Sequence, residues 1–304
     1  MDTRALQETS VRYFLEVVRC GSLTEAAERL NVVPSAISKQ ISRLEASLDT
    51  RLFERRSRGM IPNAAGELLA AYAFRNQLET ERVNSEISAL QGLQRGEVRL
   101  ACSAGFSMEL APRALVKFRQ SHPGITFHME VATSPEITRM LSQAEVDVGL
   151  TFSQAPQPGL NVEYRITTPV MAIMHRAHPL AAEPSLTLAR LAGQALGLPS
   201  RGIMSRQLFD ACCSRQGLVM TTVFSTGSVA ALLAFAQSEG GIVVAFAQLL
   251  REHLAANHMV AIRIRDRWLA PLDVELQTLA GRVLPQAVIA FLDTVKAELQ
   301  VACG

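Results

Sequence analysis

One helical pattern, unbroken by proline from Asn63 to Gln94, divides this sequence into two unlike regions. Before it, from about Thr3 to Pro62, short helical segments carry capping signals. After it, from about Arg95 onward, β-type runs alternate with helical runs, the mark of an α/β domain. A chain of 304 residues exceeds one ordinary core and suits a small unit followed by a large one. With 48% hydrophobic and 19% charged residues it can bury a sizeable core, which excludes a disordered chain. No run of about 18 uncharged apolar residues suggests a membrane span. Met1–Ser10 carries Asp2, Arg4 and Glu8 and lacks the apolar centre of a secretory signal, so a cytoplasmic protein is expected.

In the first region Val11, Phe14, Leu15 and Val18 recur at helical spacing and describe one buried face, which Gly21 ends. Thr24–Leu30 reads as a short second helix whose alanines permit close approach. Asn31-Val32-Val33 is a tight connection, and Pro34 suits the first turn of a third helix over about Ser35 to Ser47. Ile37, Ile41, Leu44 and Leu48 are expected inward, with Ser38, Lys39, Ser42 and Arg43 on other faces. Two helices joined by so short a turn match a helix-turn-helix, although a generic helical hairpin shares the periodicity. Net charge is only +2, but of 30 basic residues only Lys39, Lys117 and Lys296 are lysine. Arginine is the better fork for phosphate oxygens and guanine edges. The densest basic stretch, Arg51 to Arg58, precedes Gly59 and reads as a basic hairpin or as a solvated charge run.

Together these residues resemble the LysR-type transcriptional regulator family. The match runs through Phe14, Val18, Gly21-Ser22-Leu23-Thr24-Glu25-Ala26-Ala27 and Leu30. It continues through Ser35-Ala36-Ile37-Ser38-Lys39-Gln40-Ile41, Leu44-Glu45, Leu52-Phe53-Glu54-Arg55 and Ala65-Gly66. Asp49 stands where the family usually has glycine, Pro34 where glutamine is frequent, and Ile61-Pro62-Asn63 replaces the usual Leu-Thr-Pro. The resemblance implies a winged helix-turn-helix over 1–62, a linker and dimerisation helix over 63–94, and an effector-binding domain over 95–304. It places DNA contacts at Ser35, Ser38, Lys39, Arg43 and Arg55, with a helix N-terminal cap as the alternative role for Ser35. It also implies a homodimer or homotetramer on a partly palindromic double-stranded operator, with RNA polymerase among the candidate partners. The linker seam is imperfect: Leu69, Tyr72, Val83 and Leu90 fit a 3–4 spacing that Asn76, Glu79 and Glu86 interrupt, so looser helix packing is expected.

In the large region Glu97–Cys102, Thr126–Val131 and Val146–Leu150 read as strands separated by helices, which argues for parallel pairing. Glu145–Leu150, His178-Pro179-Leu180 and Gly240-Gly241-Ile242-Val243 also resemble family elements. The architecture so implied is an α/β, periplasmic-binding-protein-like domain. Its subdomain I would comprise 95–166 and 265–304, and its subdomain II 167–264. The chain would cross near Ile166–Val170 and return near Ile262–Trp268. Ligands of such folds sit at the carboxyl ends of strands, in the crevice between subdomains. The candidates there are Ser103, Gly105, Phe106, Thr133, Ser134, Thr151 and Phe152, with Ser200, Arg201 and Gly202 from the other side. Hydroxyls, helix N-termini and one guanidinium suit a small anionic organic effector, an aromatic one included, with Phe106 or Phe152 packing on its body. The resemblance implies that the effector shifts the angle between subdomains and hence the spacing of the DNA heads.

Cys20, Cys102, Cys212, Cys213 and Cys303 show no framework or CxxC spacing and read as buried thiols, with a redox-sensing pair as the alternative. His175 and His178 lie three apart without a completing ligand, and the other histidines are scattered, so no metal is expected. No Walker loop, strand-borne GxGxxG or GxSxG appears, so no cofactor and no enzyme activity are expected. A solute-binding protein of similar fold is the rival reading, opposed by the helix-turn-helix.

Overall fold

A computed structural model of the protein describes residues 8–56, 59–90, 96–153 and 155–303. The chain divides into two compact units, Met1–Leu93 with Gly281–Gln286, and Gln94–Ala280 with Ala287–Gly304.

The first unit opens with α1 (Thr9–Cys20), which stops because Gly21 turns into the left-handed region at φ +65° and returns its N–H to Val17 O at 2.8 Å. Helix α2 (Leu23–Leu30) is capped by Ser22 Oγ, which accepts from Glu25 N, and ends at Asn31 with φ +54°. Helix α3 (Pro34–Ser47) starts on proline, whose missing N–H is harmless in a first turn. The three helices close on a core of Tyr13, Phe14, Val17, Ala26, Ala27, Ile37, Ile41 and Leu44. Two expectations change in detail. Val17, not Val18, is the fully buried valine of α1. Leu48, expected inward, is 47% exposed, because α3 ends at Ser47 and the chain reverses through Asp49 at φ +47°. Aspartate is among the few side chains that tolerate this region, so the bend that glycine serves in the family survives here.

Strands β1 (Phe53–Arg56) and β2 (Gly59–Pro62) form an antiparallel hairpin whose turn lies outside the described residues. Glu45 ties α3 to this hairpin, its Oε1 accepting from Leu52 N at 2.8 Å. Asn63 then opens α4 (Ala64–Leu90): its Oδ1 accepts from Gly66 N at 2.9 Å and its Nδ2 donates to Arg51 O at 2.8 Å. A Cβ on Gly66 would fall 2.1 Å from Leu52 O, so only glycine lets the helix start so close to the hairpin. Leu69, one of the expected seam positions, is half-buried against the core of its own unit. The large apolar side chains exposed on α4 among the described residues are Leu68 and Tyr72. The side chain of Leu90 lies outside the described residues.

The second unit holds two five-stranded sheets. The first contains β3 (Gly96–Cys102), β4 (Ile125–Val131), β5 (Val148–Ser153), β6 (Leu160–Thr168) and β12 (Leu272–Leu279), in the order β4-β3-β5-β12-β6. The second contains β7 (Met171–His175), β8 (Leu196–Pro199), β9 (Thr222–Thr226), β10 (Ile242–Ala245) and β11 (Met259–Arg263), in the order β11-β7-β10-β8-β9. Pairing is parallel between β3 and both β4 and β5, and between β8 and both β9 and β10. Helices α5 (Leu110–Ser121), α6 (Ser134–Ser142), α7 (Leu188–Leu191), α8 (Met204–Arg215), α9 (Val229–Gln237), α10 (Arg251–Ala256) and α11 (Gln286–Cys303) complete the unit. The chain passes between sheets from β6 to β7 and back from β11 to β12.

Strand β5, parallel to β3 and antiparallel to β12 at the centre of its sheet, is buried at every residue. Asp147 just before it locks its register. The carboxylate accepts from Arg99 N at 2.8 Å and pairs with Arg99 Nη2 at 2.7 Å, while Asp147 N donates to Arg99 O at 2.8 Å. The Asp147 side chain is 3% exposed, so its charge depends on these partners.

Candidate functional site

On α3, Ser35, Lys39 and Ser42 stand at i, i+4 and i+7, one above the other on the exposed side, with Arg43 exposed beside them. Ile37, Ile41 and Leu44 occupy the buried side, which fixes the outward face by default. Ser38 is half-buried between the two. Ser35 lies in the first helical turn; the cap position belongs to Val33, which offers no side-chain acceptor. Pro34 has no N–H and Ala36 N donates to Val33 O at 3.0 Å, but no side chain caps the turn, and the positive end of the helix dipole there favours anions. Lys39 and Arg43 make no ion pair among the described residues, whereas Arg29 on α2 is neutralised by Glu16 and Glu25. Arg55 lies on β1 opposite Met60, and its side chain is outside the described residues. Ser42 belongs to the same exposed face and was not among the candidate contacts, although its spacing from Ser35 was a readable signal.

In the second unit the candidate residues gather at the carboxyl ends of β3, β4, β5 and β8. Three hydroxyls form a relay. Thr151 Oγ1 donates to Ser134 Oγ at 2.7 Å, Ser134 Oγ donates to Phe152 O at 3.2 Å, and Ser103 Oγ lies 3.1 Å from Thr151 Oγ1. Each hydroxyl has one hydrogen, so with Thr151 spent on Ser134 the Ser103 hydrogen must go to Thr151. Thr133 is committed elsewhere: its N–H and hydroxyl both donate to Glu136 Oε2, closing the capping box of α6. These bonds, the backbone one first, hold the Glu136 carboxyl below the usual carboxylate range. Gly105 is half-buried, and Arg201 and Gly202 are exposed after β8. Ser200 N donates to Thr226 O at 3.0 Å, which brings the ends of β8 and β9 together.

Phe106 and Phe152 are not open platforms. Phe106 stacks on Phe152 with centroids 4.9 Å apart, and Phe246, just beyond β10, stacks on Phe152 at 4.2 Å. Sequence reasoning passed over Phe246, although it directly follows the Gly240–Val243 element at a strand's carboxyl end. It also passed over Arg206, which is buried at the start of α8 and donates to Asp210 Oδ1 and Pro199 O.

A model described as the bacterial regulatory helix-turn-helix protein, lysR family, matches residues 9–67, and one described as the LysR substrate binding domain matches residues 91–300. The chain belongs to the LysR family. This LysR-type regulator is 27% identical over 265 residues to a RuBisCO operon transcriptional regulator of Allochromatium vinosum, covering 87% of this chain and 84% of that one. It is also 27% identical to the transcriptional activator protein LysR of Escherichia coli, covering 77% and 75%. Among solved structures it resembles a full-length OxyR variant from Pseudomonas aeruginosa at TM-score 0.68 and 18% identity, covering 97% of this chain and 95% of that one. It resembles full-length CbnR complexed with its target DNA at TM-score 0.57 and 21% identity, covering 98% and 100%. At these identities the structural likeness is one of fold, and the fold class expected from the sequence is the one found.

In the LysR effector domain the two sheets are joined by more than the crossover strands. Met108, in the loop after β3, packs on the core of the second sheet formed by Ile173, Leu232, Leu233 and Val243. The Glu109 carboxylate accepts from His253 N at 3.1 Å and Glu252 N at 3.4 Å on α10, and Arg113 of α5 pairs with Glu252 at 3.2 Å. The thiols are poor redox candidates. Burial pushes Cys102 and Cys213 up to about 12 and Cys20 up to about 11, and it raises Cys212 as well, so all four stay protonated at neutral pH. The side chain of Cys303 lies outside the described residues. Among the described residues no group of three or more His, Cys, Asp or Glu is placed to hold a metal, and no helix is long and apolar enough to cross a membrane.

Proposed function

We propose that this LysR-family regulator sets α3 into the major groove of a partly palindromic double-stranded operator and answers to a small anionic organic effector between its two α/β subdomains. The observation that carries the DNA reading is the pair of exposed, unpaired cations Lys39 and Arg43 above the open N-terminal turn at Ser35. Ser35 and Ser38 would meet phosphates near the helix end, Lys39 and Arg43 phosphates or base edges, and Arg55 the backbone beside the hairpin. The division into 1–62, 63–94 and 95–304 and the return at 264/265 are supported by the order of elements, whereas the split expected at 166/167 falls inside β6 and moves to the connection between Thr168 and Met171. A homodimer or homotetramer is supported by Leu68 and Tyr72, an i, i+4 apolar pair exposed on α4.

For the effector, the hydroxyl relay sets a condition. Its hydrogens run inward toward Phe152 O, so Ser103 offers lone pairs to the crevice. An anion at Ser103 takes the hydrogen that Ser103 gives to Thr151, either by rotation of that one hydroxyl, at the loss of the bond to Thr151, or by reversal of the whole relay, at the loss of the bond to Phe152 O. Arg201 supplies the charge complement. Effector binding would then change the angle between subdomains and the spacing of paired DNA heads.

The deciding experiment measures binding of the purified protein to its own upstream intergenic DNA across a salt series, against a scrambled duplex of equal length. Footprinted binding that weakens with salt is expected. A genome-wide pull-down returning no enriched site would overturn the regulator reading. For the effector, small organic acids are titrated against the protein and Arg201→Ala. Unchanged affinity in the variant would remove the guanidinium from the site.

A further inference from the structure

The three stacked rings join the two sheets of the second unit. Phe106 and Phe152 come from the carboxyl ends of β3 and β5 in the first sheet, and Phe246 from the carboxyl end of β10 in the second. Their exposures are 0%, 9% and 7%, and successive planes are inclined by only 29° and 25°. Phe106 and Phe246 each stack on Phe152 and make no ring contact with one another among the described residues, so they cover its opposite faces. Phe152 is adjacent to Thr151 in sequence, and its carbonyl terminates the hydroxyl relay from Ser103. The rings and the hydroxyls are therefore immediate neighbours, an apolar cluster beside a polar one.

We propose that Phe246 is the crevice's built-in aromatic occupant, so that the natural effector is a small anion without a ring. This rests on the reading of the crevice as the effector site and narrows its ligand class. A ring-bearing acid would need to stack on Phe152, and that face is taken by a side chain tethered to the opposite subdomain. Offset stacking of this kind is favourable and is lost if a ligand pushes Phe246 out. An acid of a few carbons needs only the Ser103–Thr151–Ser134 half and leaves the stack intact. Phe246 stands at the joint between β10 and the 3-10 turn Ala247–Leu250, so the same ring also holds the second sheet against the first.

The test removes the occupant. The full-length protein and Phe246→Ala, checked for folding by circular dichroism, are titrated calorimetrically with benzene and with benzoate. The wild-type protein is expected to take neither. Phe246→Ala opens a dry, ring-sized cavity against Phe152, and it is expected to bind benzene saturably and benzoate at least tenfold more tightly. Wild-type protein binding benzoate as tightly as the variant would overturn the proposal, and so would a folded variant that takes neither probe. Benzene uptake with no preference for benzoate would keep the occupant and overturn the anionic-effector reading, so the two failures are distinguishable. If Phe246→Ala does not fold, Phe246→Val is compared with wild type under xenon. Xenon bound beside Phe152 in the variant alone supports the proposal, and no uptake overturns it.

Discussion

The exposed face of the helix-turn-helix draws Ser35, Lys39, Ser42 and Arg43 from one 14-residue helix, whereas the proposed effector site takes Ser103, Ser134, Thr151, Ser200 and Phe246 from separate strand ends. In the head, 3.6-residue periodicity settles which side chains look outward once the core side is known. In the crevice, neighbours are decided by sheet order: β3 lies beside β5 although α5, β4 and α6 separate them in the chain. The two regions also treat polar groups differently. On α3 the head leaves Lys39 and Arg43 exposed and without an ion pair among the described residues, and the second unit bonds the Ser103, Thr151 and Ser134 hydroxyls and the buried Asp147 carboxylate internally. A surface that meets a polyanion needs free charge, whereas a crevice that must stay folded while empty needs its polar groups bonded.

The comparison is broken most severely by Asp147→Ala. Removing the carboxylate deletes its bonds to Arg99 N and Arg99 Nη2 beside a central strand, at a cost of about 3 kcal/mol. Unfolding in urea followed by Trp268 fluorescence reports the effector domain alone, since Trp268 is the single tryptophan. A loss well under 1 kcal/mol would mean that the pair does not lock β5. Next comes the DNA face. Arg43→Ala should weaken operator binding by about 1–3 kcal/mol if it reads a base edge, and Lys39→Ala should lower the salt slope by roughly one if it holds a phosphate. Fluorescence anisotropy with a labelled duplex separates the two. Unchanged affinity in both variants would move the interface off α3.

Smaller effects sharpen the contrast. Asn63→Ala deletes the cap that starts α4 and should cost about 1 kcal/mol in the first unit, with the Trp268 transition unmoved. A shift of that transition instead would show that the cap supports both units. Last is a pH effect confined to the second unit. Burial holds His178 below its ordinary value of 6.5, and its Nδ1 accepts from Leu180 N at 3.2 Å, a role only the unprotonated nitrogen can play. As pH falls below about 6.5 the unfolded chain takes up a proton that the folded chain resists, so the stability present above that pH is progressively lost. In His178→Asn, whose amide oxygen can accept the same N–H, the Trp268 transition should vary less between pH 7 and 5.5. Identical profiles would remove His178 from that dependence.

Legibility followed the same divide. The helix-turn-helix, Gly21 as a helix stop, Pro34 as a helix start and the hairpin before Gly59 are local consequences of backbone chemistry, and all are present. Leu48 reads as inward because periodicity assumes that the helix continues, whereas Asp49 reverses the chain after Ser47 and leaves it exposed. Periodicity also does not show that Leu69 packs in part on the first unit's own core. Phe246 was overlooked because its importance lies in a ring 4.2 Å away and far off in the chain. The sequence by itself determined the family, the two kinds of unit and the outward face of α3, because capping, turn geometry and periodicity act over a few residues. Only the tertiary structure decided that the three hydroxyls share one relay and that Phe152 is covered on both faces, because those contacts exist only once two sheets have ordered their strands.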